Sequence, residues 1–286
     1  LQQMALLRRP QTNVRMILVH GLLKYADLYD FLQEASPTIA TEILNVYAES
    51  MSKTLQQLFR TYAAQLLLLD ATKHSASRHD VIAVEDALLR DTLTTRAKKR
   101  TDVFTLGNRA AECLDDANAR PILAHVATQE KKSYPYERLF RSLLGHLLDA
   151  VTNEHVVCRQ YFKRDVFNIL FGAGTLSVIL EQLENYLFTC HDALCLLLVI
   201  KVTHAYKRNA RQRHIHSLDP FFDQVTKLVW PRLKMVMEGH LRSLKQATPM
   251  KLGGVELHAH YVTRRFAEFI CSILLIVQYR RLSMSA

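Results

Sequence analysis

Residues that form turns are scarce in this sequence. Only 8 glycines and 7 prolines are spread over 286 residues, whereas a sandwich or barrel of many short strands needs turn residues between its strands. The five cysteines include no Cys-x-x-Cys pair, a usage that is typical of a reduced, cytosolic compartment. The composition therefore favours long helices over a many-stranded fold.

A long apolar run is also missing. The unbroken apolar run 193–200 is bounded by Asp192 and Lys201, and a membrane-spanning helix needs about 20 apolar residues. We therefore expect this run to belong to a helix buried inside a bundle. The chain begins at Leu1 and shows no signal peptide, and we expect it to be a fragment whose flanks are missing.

The motifs that carry catalysis or metal binding are absent or incomplete. His191 and Asp192 are neighbours, but adjacent residues of a helix do not face each other. The His-x-His pairs at 214–216 and 258–260 lack further ligands at a suitable spacing. The glycines in 172–174 are not followed by Lys-Ser/Thr, so they predict a turn that breaks the chain and not a phosphate loop. We expect no catalytic activity, metal ion or other cofactor.

A helical spacing of apolar residues is present instead. It is clearest in the stretch 175–206, which predicts one continuous helix of roughly 45 Å around which the other elements pack. Its apolar positions recur in steps of three and four residues: Leu176, Leu180, Leu183, Leu187, Cys190, Leu194 and Leu197.

Two earlier helices are predicted to form an antiparallel hairpin over 13–70, after an upstream coiled-coil end at 1–12. Ser36 should cap the second helix, with Pro37 in its first turn. Residues 71–134 then lose the pattern, include a basic cluster at 96–100, and predict an irregular connection with short helices. This connection is either a functional loop or a boundary between two bundles.

A second helical bundle with a basic end is predicted over 135–286. Asp219 and Pro220 should begin a helix that Pro231 kinks just after Trp230. We interpret Trp230 as packed into this kink, because a tryptophan side chain buries a large area. The last helix is predicted to turn five apolar side chains inward: Val262, Phe266, Phe269, Ile273 and Val277.

The positive charge is concentrated near the end of the chain. The net charge is +10, and residues 201–286 hold 15 Lys/Arg against 5 Asp/Glu, while residues 1–200 are balanced. Such a field attracts acidic partners, although a solvated face that only keeps the protein soluble is an equal alternative. The candidate contacts to an acidic partner or membrane are Lys207, Arg208, Arg211, Arg213, Arg264 and Arg265. At least one of the two adjacent arginines should face away from the core.

Several uncommon segments resemble one family in their order along the chain. They are 19–32 (VHGLLKYADLYDFL), 103–109 (VFTLGNR), 134–142 (YPYERLFRS), 228–232 (LVWPR), 252–254 (LGG) and 260–269 (HYVTRRFAEF). They look like the vacuolar protein sorting fifty-two subunit family of the Golgi-associated retrograde protein (GARP) complex. Residues 71–100 match this family poorly, and we expect a lineage-specific loop there.

The resemblance implies an all-α fold of long antiparallel helices in stacked bundles, forming a rod-like tether of the CATCHR type. It implies a non-catalytic subunit that helps to capture endosome-derived vesicles at the trans-Golgi network, and that also serves the endosome-associated recycling complex. The implied partners are the other subunits, SNAREs, a Rab-class GTPase and an anionic membrane surface. The implied location is cytosolic and peripheral on trans-Golgi network and endosomal membranes. The family's assembly coiled coil is expected mostly upstream of Leu1, and further helices beyond Ala286.

A helical nucleic-acid-binding module is the alternative, because the local positive charge would permit it. Single-stranded nucleic acid is usually bound by basic residues interleaved with exposed aromatic side chains. The Phe and Tyr positions here fall mostly on the predicted core stripes, so we expect no nucleic-acid partner.

Overall fold

The computed structural model describes residues 23–71, 80–83, 102–114, 120–252, 257 and 259–282. The regular elements in these ranges are all helical, which confirms the all-α fold class. The predicted start of the first helix, near residue 13, lies outside the described residues.

The helices are named here in chain order. The α-helices are α1 (Ala26–Ala35), α2 (Pro37–Leu68), α3 (Arg109–Leu114), α4 (Ala124–Gln129), α5 (Tyr136–Val157), α6 (Ser177–Thr189), α7 (Ala193–Gln212), α8 (Asp219–Gln246), α9 (Pro249–Leu252) and α10 (Tyr261–Leu282). Two π-helical segments, Cys158–Phe162 and Asn168–Leu176, and 3-10 turns at Leu23–Tyr25, Asp102–Phe104 and His216–Leu218 complete the described elements.

The junction between α1 and α2 lies at the predicted residues, Ser36 and Pro37, but the predicted side-chain cap by Ser36 does not form. Ser36 has an extended backbone, its N–H donates to the Leu32 carbonyl at 2.8 Å, and Pro37 occupies the first turn of α2. The Ser36 side chain makes no capping hydrogen bond to the helix backbone. The change of direction therefore comes from the backbone of Ser36 and from Pro37, which restricts its predecessor to extended conformations.

The predicted single helix over 175–206 is wrong, because the structure divides it into α6 and α7. Cys190 adopts an extended backbone at the end of α6. Asp192 then caps α7: its Oδ1 accepts hydrogen bonds from the N–H groups of Leu194 at 2.9 Å and Cys195 at 3.0 Å. The apolar spacing continues across this break, so periodicity alone did not reveal it.

The predicted turn at 172–174 is also wrong. Gly172 and Gly174 lie within the π-helical segment Asn168–Leu176, which runs directly into α6. The change of direction comes earlier, at Lys163, whose backbone is left-handed with φ of 52°.

The core is centred on α7, which packs against α3, α5, α8 and α10. Leu194, Cys195 and Leu196 have no exposed surface. The helices α5 and α7 approach closely where Gly145 faces Tyr206, since a Cβ on Gly145 would lie 3.0 Å from the Tyr206 hydroxyl. A glycine inside a helix costs stability, and here it permits this close packing.

The connection over 71–134 is tied to the bundle at both ends. The Ala71 N–H donates to the Tyr134 carbonyl at 3.0 Å, and the Tyr134 N–H donates to the Leu69 carbonyl at 2.9 Å. Buried residues from Tyr29 to Ile276 form one contiguous hydrophobic cluster that includes Phe104. The predicted division of the chain into 1–12, 13–70, 71–134 and 135–286 remains a prediction.

Trp230 is 57% exposed, so its predicted packing into a kink is wrong. Helix α8 continues through Pro231, and Val229 points into the core instead. Adjacent helical residues differ by about 100° in direction, which leaves Trp230 on the outer side of α8.

The predicted inward face of α10 holds for Phe269, which is buried, and for Val262 and Ile273, which are partly buried against the core. It is wrong for Phe266 and Val277, which are exposed, while Ile276 is buried instead. The reason is a contact with the segment before α3. The Ser272 hydroxyl donates to the Phe104 carbonyl at 3.1 Å and accepts from the Leu106 N–H at 3.0 Å, so Ser272 must face inward.

A buried carboxyl group joins α2 to α5. The Tyr47 hydroxyl donates to Glu154 Oε2 at 2.7 Å, and both side chains are buried. Burial raises the pKa of Glu154 from 4.5 to about 7, although the hydrogen bond from Tyr47 lowers it. Between these two pH values the folded chain binds more protons than the unfolded chain, so the stability contributed by protonated Glu154 is lost as the pH rises.

Glu154→Gln should remove this pH dependence. Glutamine keeps an acceptor for Tyr47 and carries no charge, so the free energy of unfolding of the variant relative to the parent should rise by about 3 kcal/mol between pH 4.5 and pH 8. Urea denaturation of both proteins at intermediate pH values measures this difference. Parallel stability curves over that pH range would contradict a buried, neutral Glu154.

Candidate interaction surfaces

Helices α7 and α8 are joined by two of the predicted contact residues. Lys207 forms an ion pair with Asp223, and this hydrogen bond lowers the pKa of Asp223. Arg211 Nη2 lies 3.0 Å from Asp219 Oδ2, and the hydrogen bond to Asp219 raises the pKa of Arg211. Part of the charge that the sequence assigned to an external partner is therefore neutralised inside the chain.

Arg213 follows α7 directly and turns toward α5. Its Nη1 donates to Asp149 Oδ1 at 3.1 Å and to the Thr152 hydroxyl at 3.1 Å. Arg213 thus holds the end of α7 against α5, and it shares its charge with a carboxylate of the same chain.

Arg208 is exposed, as is Arg211 despite its ion pair with Asp219. Burial lowers the pKa of the nearby His204, and the charges of Arg208, Lys201 and Lys207 lower it further. A positive potential thus persists on this side of α7 in spite of the ion pairs.

The two adjacent arginines of α10 have different surroundings. Arg264 is exposed, while Arg265 is buried, with its guanidinium carbon 5.7 Å from the Phe104 ring centre and 5.5 Å from that of Tyr261. Arg265 is therefore a packing residue and not an accessible contact, which corrects the sequence-based candidate list. The expectation that one of the two faces away from the core is met by Arg264.

A buried ion-pair network was missed by the sequence reasoning. Arg109 Nε donates to Glu137 Oε1 at 2.6 Å, and Arg109 Nη2 donates to Asp192 Oδ2 at 2.9 Å. Burial lowers the pKa of Arg109, but Asp192 and Glu137 together raise it above its ordinary value. The one available signal was the position of Arg109 and Glu137 in two of the segments that carry the family resemblance.

A cleft of about 760 Å³ lies between α8, the end of α6 and residues 80–83. On its wall the Arg232 Nε donates to the Cys190 carbonyl at 2.7 Å, and Arg232 Nη2 lies 3.2 Å from His191 Nε2. Its lining also includes Arg242, Glu238 and the exposed Phe188. These groups form no nucleophile–base pair of the kind that catalysis requires.

The described part of the chain lacks two further kinds of feature. Within it, no three His, Cys, Asp or Glu side chains are grouped closely enough to hold a metal ion. Among the helices of these same residues, none is both long enough and apolar enough to cross a membrane.

The comparison with known families decides what the chain is related to. A family model described as "Vps52, C-terminal" matches residues 49–281, which is most of the chain. The chain belongs to the Vps52 family. No solved structure matches it.

Curated members of the Vps52 family match almost the whole chain. Vacuolar protein sorting-associated protein 52 A of Arabidopsis thaliana is 37% identical over 97% of this chain. The vacuolar protein sorting-associated protein 52 homologs of Rattus norvegicus and Homo sapiens are 33% and 32% identical over the same share. The chain spans 39% of the length of each of these relatives.

Arg109→Met should strongly destabilise this Vps52-family chain. The substitution leaves Glu137 and Asp192 buried without their cation, and such a loss costs on the order of 3–5 kcal/mol. Lys53→Met is the matched control, because Lys53 pairs with Glu49 on the exposed surface of α2 and such a pair contributes less than about 0.5 kcal/mol. Urea denaturation at pH 7 measures both changes. Equal effects of the two substitutions would contradict the assigned role of Arg109.

Proposed function

We propose that the chain is part of a non-catalytic subunit of a multisubunit vesicle-tethering complex. The complex is GARP, and the same subunit serves the endosome-associated recycling complex, in retrograde transport from endosomes to the trans-Golgi network. Membership of the Vps52 family, with relatives matched over 97% of the chain, is the observation that supports this proposal.

A tether of this kind acts by binding several partners at once, which raises the effective concentration of the two membranes it joins. The proposed partners are the other subunits of the complex, SNAREs, a Rab-class GTPase and an anionic membrane surface. The proposed location is cytosolic, with peripheral association to trans-Golgi network and endosomal membranes. The long helices α2, α5, α7, α8 and α10 offer outer faces for such contacts.

Affinity purification of the full-length protein from its own cells tests membership of the complex. We expect three other large helical subunits to follow it in near-equal amounts at mild salt concentration, as measured by mass spectrometry. Recovery of ribonucleoproteins, or of no partner, would overturn the proposed role.

The proposed membrane contact uses Arg208 and Arg264, two exposed candidates; the third exposed candidate, Arg211, is paired with Asp219. The double substitution Arg208→Glu and Arg264→Glu should reduce flotation of the chain with phosphatidylserine vesicles several-fold, because it replaces two attractive charges by two repulsive ones. Lys53→Glu combined with Arg60→Glu, at exposed positions of α2, changes the net charge by the same amount and is the control. If the double variant floats as well as the parent chain, these arginines do not contact the membrane.

A further inference from the structure

Helix α8 carries a second apolar face besides the one it packs against the core. Its inner face is buried and consists of Phe222, Val225, Val229, Leu233, Val236 and His240. The outer face carries a line that we call the α8 outer stripe: Trp230, Lys234, Met237 and Leu241. The core of the described structure therefore does not account for this line of large side chains.

The apolar members of the α8 outer stripe are well exposed. Trp230 is 57% exposed, Met237 36% and Leu241 51%. Tryptophan and methionine are over-represented in protein interfaces, where tryptophan often contributes much of the binding energy. A single exposed apolar residue needs no explanation, but three on one line of one helix, with only Lys234 between them, form an apolar stripe that does.

The spacing within the α8 outer stripe is that of a helix–helix contact. Steps of four, three and four residues separate its members. Side chains at this spacing interdigitate with those of a second helix when two helices pack along a common seam. The stripe extends over three turns, or about 16 Å. Lys234 can lay its methylene stem along the seam and project its ammonium group to the edge.

The charge beside the α8 outer stripe is mainly positive. Lys234 belongs to the stripe, and Lys227 and Lys245 lie beside it, within about 60° of it around the helix axis. All three lysines are exposed. Glu238 is the acidic residue of this flank, and its carboxylate lies 3.9 Å from Lys234 Nζ. Asp223, one turn further toward the start of α8, is paired with Lys207.

We propose that the α8 outer stripe binds an amphipathic helix of another protein. The bound helix presents apolar side chains at the same spacing and flanks them with Asp and Glu residues, which complement the three lysines. A straight line of side chains one helix face wide fits another helix better than it fits the plane of a bilayer.

Trp230 makes the binding directly measurable, because it is the only tryptophan of the chain. The probe is a tryptophan-free synthetic peptide with Leu at heptad positions a and d and Glu at e and g, whose like charges hinder its self-association. Its matched control carries Lys in place of Glu. Titration of the 286-residue chain with the acidic peptide should shift the Trp230 emission to shorter wavelength and saturate.

The binding constant of the acidic peptide should be at least tenfold tighter than that of the basic peptide at low salt. This preference should decrease as the salt concentration rises, because salt screens exposed charges. Equal binding of both peptides would overturn the proposed charge complementarity, and no shift with the acidic peptide would overturn the proposal as a whole. A shift with phosphatidylserine vesicles alone would assign the stripe to the membrane and overturn it as well.

Variants of the stripe separate specific binding from a general change in the chain. Leu241→Glu, and Lys227→Glu combined with Lys234→Glu, should each weaken binding of the acidic peptide tenfold or more. The controls on α2 are Leu58→Glu, at a position that is 46% exposed, and the double variant Lys53→Glu with Arg60→Glu, which changes the net charge as much as the double lysine variant. Circular dichroism should show the parent helix content in all variants. If the α2 variants lose binding to the same extent, the α8 outer stripe is not the binding surface.

The proposal does not depend on the tethering role, since it is measured with a synthetic peptide on the chain alone. Loss of peptide binding would leave the expected co-purification of other subunits unchanged. Failure of that co-purification would likewise leave the peptide result standing.

Discussion

Asp192 joins the cap of the central helix to the buried ion-pair network. One of its carboxylate oxygens accepts the first N–H groups of α7, and the other binds Arg109, which also binds Glu137 at the start of α5. Charged groups away from water are tolerated only when they are paired and hydrogen-bonded. The beginnings of α3, α5 and α7 are therefore held at one point, and the packing of α7 against α8 and α10 builds on it.

The outer helices owe their rotation to contacts with the segment before α3. His240 of α8 and Phe269 of α10 both pack against Phe104, and Ser272 binds the backbone on either side of that contact. On the same helices, Trp230, next to the buried Val229, and Phe266 face outward. The same contacts that complete the core thus create the apolar surfaces that are available to partners.

The basic residues near the end of the chain serve two different purposes. Lys207, Arg211 and Arg213 connect helices within the chain through carboxylates of α5 and α8. Arg208 and Arg264 are exposed, and Arg211 remains exposed despite its ion pair. In this member of the Vps52 family, the charge available to a partner is therefore smaller than the net charge of the region, and it includes the lysines of helix α8.

The sequence by itself determined the features that depend on residues within a turn or two of each other. The helical period, the Ser36–Pro37 junction and the start of α8 at Asp219 and Pro220 belong to this class, as do the motifs of the family. The break before α7 is also capped locally by Asp192, but the apolar spacing that continues across it concealed it. Only the tertiary structure decided which residues of α10 face inward and which groups pair with Arg109. These contacts join groups 28 to 168 residues apart, such as Arg109 with Glu137 and Phe104 with Ser272. The sequence pattern of one helix indicates that it has an apolar face, but the side chains of the elements it packs against decide which residues of that face are buried.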